Sequence, residues 1–163
     1  MKHHHDERLP VIGWREWVSL DELGIERIKT KIDTGARTSA LHAFDVRQFT
    51  DHGAPHVAFI VHPRQRYRLP AVECIAEVRD MREITSSSGH KDIRYVISTE
   101  ISLAGLTWPI EITLADRDPL GFRMLLGRQA VRDRFIIDPG SSYVAGKKQA
   151  TISKKVKKER APK

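Results

Sequence analysis

Lys31-Ile32-Asp33-Thr34-Gly35-Ala36 puts a carboxylate at the exit of an alternating apolar strand, with a hydroxyl and then a glycine directly after it. That order of residue types suits acid–base chemistry. An aspartate held against a second carboxyl group cannot ionise together with it, so one proton is shared and the pair can activate a water. Thr34 offers a hydroxyl able to brace the turn, and Gly35 removes the side chain that would block backbone approach. The same tetrad also suits an ordinary turn after a strand, where Asp and Gly are favoured for local reasons. On these residues alone a catalytic Asp33 and a structural one both stay open.

A second segment lies far downstream: Met124-Leu125-Leu126-Gly127-Arg128, followed by a helix-like Gln129-Ala130-Val131. Together the two segments resemble a retroviral-type aspartic protease monomer, in which the Asp-Thr-Gly loop passes beneath an apolar-apolar-Gly stretch. The longer runs Lys31 to Ala43 and Met124 to Ala130 resemble more closely a bacterial family labelled ATP-dependent zinc proteases. The resemblance covers about residues 10 to 145. It implies an all-β fold, a closed or partly open acid-protease (retropepsin-like) barrel, with one short helix after Leu-Leu-Gly-Arg and a flap hairpin. It also implies a catalytic Asp33 supported by Thr34, Gly35, Ala36, Leu126, Gly127 and Arg128. Arg37, Thr38, Ser39 and His42 would then border the substrate, and Ser87, Ser88, Gly89 and His90 would meet it from a flap. A single Asp-Thr-Gly supplies one carboxylate, so the expected assembly is a homodimer in which Asp33 meets its copy on a two-fold axis.

One departure from the retroviral pattern bears on specificity. Those enzymes usually carry an aspartate four positions after the catalytic one, paired with the arginine of Gly-Arg; here that position is Arg37, and Arg128 needs another partner such as Asp138 or Asp45. Arg37 and His42 give the site cationic character, which points to acidic peptides such as a glutamate-rich tail. Taken singly, a solvated Arg37 and a structural His42 are the plainer readings. Members of the resembled family often occur beside ATP-grasp ligases that add glutamates, which implies a processing or accessory role near such a ligase. The expected function is an aspartic endopeptidase acting on a peptide or protein substrate, with a non-catalytic peptide-binding module as the alternative.

Other chemistries lack their motifs. There is no His-Glu-x-x-His, no cysteine pair, and His42, His52, His56, His62 and His90 are scattered, with Gly53 and Pro55 breaking any helix between His52 and His56. No glycine-rich phosphate loop supports ATP binding, and no Gly-x-Ser-x-Gly supports a serine nucleophile. The expectation is a protein with no metal and no cofactor.

The 163 residues suffice for one domain with a real core but not for two large lobes. The net charge of +7 is located almost wholly at one end: residues 146–163 hold eight Lys or Arg against the single Glu159, a surplus equal to the whole net charge. The division expected is an N-terminal extension at 1–9, its histidine run either native or tag-derived, a retropepsin-like domain at 10–145 and a disordered basic tail at 146–163. The tail reads as a solvated segment, with a weak tether to RNA or another polyanion as the alternative. Cys74 is the only cysteine, no stretch is apolar enough to span a membrane, and the N-terminus lacks a signal-type core. A cytoplasmic protein is expected.

The elements that must position these residues read as short strands. Val11 to Trp14 with Glu16 to Val18 suggests an edge strand, and Arg27 to Asp33 a half-buried strand delivering Asp33. Ser39 to Phe49 reads as one strand, and Val57 to Val61 as a buried one stopped by Pro63. Val72 to Val78 and Ile93 to Ile101 flank the polar stretch 85–91 as a hairpin, Thr107 to Leu114 follows, and Phe135 to Pro139 closes the series as an interface strand.

Overall fold

A computed structural model describes residues 9–85, 88–116 and 121–146. The residues assigned to the N-terminal extension and the basic tail therefore lie outside the described residues, apart from Leu9 and Gly146.

Among the described residues, ten strands and one short α-helix follow the apolar alternation of the sequence. In order they are β1 (Val11–Leu20), β2 (Ile25–Asp33), β3 (Ser39–His42), β4 (Phe44–Asp51), β5 (Ala54–Val61), β6 (Val72–Thr85), β7 (Lys91–Leu103), β8 (Leu106–Ala115), β9 (Met124–Gly127), α1 (Arg128–Val131) and β10 (Ile136–Ser142). Hydrogen bonding runs in the order β10-β1-β2-β9-β3-β8-β7-β6-β5-β4, and a further β1–β7 pairing at Ser19 and Ser102 closes β1, β2, β9, β3, β8 and β7 into a six-stranded barrel. Ile28, Leu41, Ile97, Ile101, Ile112, Met124 and Leu126 fill its interior with no exposed surface. The fold is the all-β barrel expected, with its single short helix directly after Leu-Leu-Gly-Arg.

Two local expectations change. β1 is not an edge strand, since it pairs with β10, β2 and β7. Its Glu16 is fully buried: the carboxylate accepts the backbone N–H groups of Gly13 (2.6 Å), Val144 (2.9 Å) and Ala145 (3.0 Å). A charge so placed is matched by N–H dipoles rather than by water. The stretch 39–49 is two strands. β3 joins the barrel between β8 and β9, whereas β4 leaves it to pair with β5, and the switch is made at Ala43 and by Asp45, which adopts φ 52°.

The hairpin β6–β7 is longer than its apolar cores suggested. Only Val96 and later residues of β7 pair with β8, so residues 81–85 and 91–95 pair with one another alone, forming a two-stranded ribbon beyond the barrel. Among the described residues no helix is long and apolar enough to cross a membrane.

Candidate active site

β2 carries Asp33 to the edge of a tightly crossed backbone. β2 and β9 run parallel with Asp33 opposite Gly127, and β9 is threaded between β2 and the antiparallel β3. The turn joining β2 to β3 must therefore pass across the end of β9. A β-carbon on Gly127 would stand 2.5 Å from both C and O of Thr38, a distance no side chain tolerates, so glycine is a steric requirement here.

Hydrogen bonds lock the crossing. Gly127 N–H donates to Ser39 Oγ (3.0 Å), Arg128 N–H to Ala36 O (2.7 Å), Gln129 N–H to Arg37 O (3.1 Å), and the Arg128 guanidinium to Thr34 O (3.0 Å). Arg128 thus finds its partner in the turn's own backbone. Asp138, one of the acids considered for it, instead accepts from Ser141 Oγ (2.7 Å) and Gly140 N–H (3.0 Å), bonds that hold its carboxyl below the usual carboxylate range. Trp108 Nε1 donates to Ala130 O (3.0 Å) and its ring meets Phe135, which seats α1 on the barrel.

Asp33 itself is half-buried. Its Oδ1 accepts the N–H groups of Gly35 (3.1 Å) and Ala36 (3.2 Å), which fixes the carboxylate plane and leaves Oδ2 uncommitted to those donors. A β-carbon on Gly35 would lie 3.3 Å from Oδ1, tighter than ordinary contact. Thr34 and Gly35 are exposed at the turn. The chain presents one such carboxylate, partly exposed.

A model of the RimB-like family, described as retropepsin-like aspartic endopeptidase RimB, matches residues 11–148. The chain belongs to the RimB-like family. It is also 44% identical over 138 residues to a protein of Shewanella pealeana named probable alpha-L-glutamate ligase, across 85% of this chain and 30% of that one. A protein of the same name from Desulfotalea psychrophila is 46% identical over 136 residues, across 83% and 29%. The chain spans about 30% of the length of these curated relatives. Among solved structures, Lpg0085 of Legionella pneumophila, a protein of unknown function, superposes with a TM-score of 0.69 at 23% identity, covering 83% of this chain and 98% of that one. That likeness concerns the fold.

Within this RimB-like barrel the residues singled out from the sequence fall into three groups. Asp33, Thr34, Gly35, Ala36, Arg37, Thr38, Ser39, Leu126, Gly127 and Arg128 converge on the crossing, although Leu126 points into the core and Ser39 is buried beneath the turn. His42 does not join them. It ends β3 at the far side from Asp33, is 6% exposed, and its Nδ1 accepts from the Arg123 guanidinium at 2.9 Å, since a guanidinium can only donate. Its ring stacks on Phe44, which stacks in turn on His62. Ser88, Gly89 and His90 lie at the exposed tip of the β6–β7 hairpin, with His90 Nε2 3.3 Å from Asp92; Ser87 lies outside the described residues.

The sequence reading passed over Lys31. Alternation along β2 puts Ile28, Thr30 and Ile32 in the interior and Lys29, Lys31 and Asp33 on the opposite face. Pairing of Lys31 with Leu125 and of Leu125 with Ala40 extends that face across β9 and β3. A two-residue offset from Asp33 was the signal available for it.

The zinc in the older family label has no donor set among the described residues. No three His, Cys, Asp or Glu side chains converge there, and His52 and His56 sit on the β4–β5 hairpin bonded to Asp51 and to Ala54 O.

Proposed function

We propose that this protein is an aspartic peptidase that works as a homodimer, with the two Asp33 carboxyls sharing one proton over a bound water. The observation that carries this reading is the pinned turn: Gly35 and Ala36 N–H groups orient Asp33 while Gly127 lets β9 cross directly behind it. Such preorganisation is what a carboxylate needs to meet a copy of itself, and an isolated surface turn has no use for it. The ionised partner takes a proton from water, the water attacks the amide carbonyl, and the protonated partner stabilises the oxyanion and then protonates the leaving nitrogen. Exposed Thr34 hydroxyls would brace the two turns against each other, β10 beside β1 would contribute to the subunit contact, and the β6–β7 ribbon would cover the substrate.

The substrate class proposed is acidic or glutamate-modified peptide, in association with an ATP-grasp ligase. Its support is the name of the relatives, probable alpha-L-glutamate ligase, joined to the cationic residues around Asp33. The same relatives favour a second reading, a ligase-accessory module that binds such peptides without cutting them. Turnover of glutamate peptides at pH values between about 4 and 8, with wild type and Asp33→Asn side by side, separates the two. Peptide products from wild type alone support the peptidase; no products from either, with equal peptide binding by both, support the module. Sedimentation that finds an active monomer would remove the dimer mechanism.

A further inference from the structure

Asp33 shares its face of the sheet with a set of cations that the folded register brings together. Along β2, Lys31 is two residues from Asp33 and Lys29 four, about 7 and 13 Å at the rise of a strand. Across the parallel pairing Lys31 faces Leu125, and Arg123 precedes Leu125 by two residues on the same side. On β3, Ala40 faces Leu125 and His42 lies two residues beyond it, its Nδ1 held by Arg123. On β8, Glu111 lies on this side, three strands from β2 and beside Thr38.

These positions do not carry their charges in the same way. Arg123 is engaged with His42 and lies 5.9 Å from the Phe44 ring, and Lys29 lies over Phe122 at 5.3 Å. Lys31 is half-buried, and no ion pair or hydrogen bond of its side chain is seen among the described residues. Its strand neighbours are uncharged Leu125 on β9, with Ala40 beyond it, and Arg15 on β1. A half-buried cation two residues from Asp33, on the same face and with no acid of its own among the described residues, can meet an acidic side chain of whatever chain is laid across Asp33.

We infer that Lys31 is a specificity-determining residue, whose ammonium binds the carboxylate of a substrate glutamate or aspartate adjoining the bond presented to Asp33. This rests on the proposed function above and deepens it by naming the group that selects acidic peptides, in place of His42, which is spent on Arg123.

The test compares a pentaglutamate fluorogenic peptide with its pentaglutamine counterpart, on wild type, Lys31→Met and Lys31→Glu. Lys31→Met should lower the ratio of kcat/KM for the two peptides by about 10- to 100-fold, the loss expected for one charge-assisted hydrogen bond, and chiefly through KM. Lys31→Glu should lower it further and raise turnover of a pentalysine analogue. An unchanged ratio in Lys31→Met would overturn the inference while leaving the peptidase standing. An equal shift of the pH profile for both peptides would also overturn it, since Lys31 would then act on Asp33 and not on substrate. If wild type turns over neither peptide, the peptidase reading fails by itself, and the same ratio is read from equilibrium binding of the two peptides, where Lys31→Met should show the same loss.

Discussion

Gly127 and Thr38 touch where no side chain could intervene: the position a Gly127 β-carbon would occupy lies 2.5 Å from the Thr38 carbonyl carbon and oxygen. The contact joins two segments almost ninety residues apart and makes the turn bearing Asp33 rest on the end of β9. The same crossing fixes Arg128 where it can hold Thr34, so support for the site and support for the fold coincide.

Gly127→Ala should therefore be costly. The overlap is with backbone and cannot be relieved by a rotamer change, so a loss of about 3 kcal/mol or more is expected. Urea unfolding monitored by tryptophan fluorescence measures it, and a midpoint equal to wild type would contradict the crossing as described.

Asp33→Asn should leave stability nearly unchanged while removing turnover. The amide keeps an Oδ1 able to accept from Gly35 and Ala36, whereas the shared proton of the proposed dyad is lost. A fall of about a thousandfold or more in kcat, with an unfolding midpoint close to wild type, is the expected pair of results.

Glu16→Ala should destabilise the chain by about 3–5 kcal/mol, because three backbone N–H groups, those of Gly13 and Ala145 buried, lose their acceptor at once. Hydrogen exchange should show the segment around Val144 and Ala145 opening well before the barrel strands. Glu16→Gln, which retains one acceptor oxygen, should fall between.

Cys74 should be inert in the native protein. Burial pushes its thiol up to about 12, and its Sγ donates weakly to Leu23 O at 3.3 Å. At pH 8 iodoacetamide should label it on the order of tenfold or more slowly than a free thiol, with full reactivity restored in denaturant. A raised thiol value also means that the unfolded chain ionises first as pH climbs. Stability from this group is complete below the unfolded thiol's value and is lost as pH rises from about 8.5 towards the folded value. Cys74→Ser should flatten that dependence.

Ser39 to Phe49 shows where one-dimensional reading stops. Its alternation is continuous, but the chain changes sheets at Ala43, and nothing in the side-chain period of two marks which neighbour each half will find. Glu16 shows the same limit from the polar side: a charged residue in a strand looks solvated until the distant Val144 and Ala145 arrive to satisfy it. His42 looked adjacent to the site because it is close in sequence, yet four extended residues carry it to the opposite end of β3.

What the amino-acid sequence determined by itself is the part of this protein built from local chemistry and short-range periodicity. The Asp-Thr-Gly turn, the Leu-Leu-Gly-Arg segment with its helix, the predominance of strands and the separation of charge into a basic end all depend on residues next to one another. Tertiary structure decided the rest: which carbonyl answers Arg128, why Gly127 must lack a side chain, and that His42 turns to Arg123 instead of Asp33. Those are relationships between strands, and a strand's own sequence sets only which face each side chain takes; register and closure of the barrel set what that face meets.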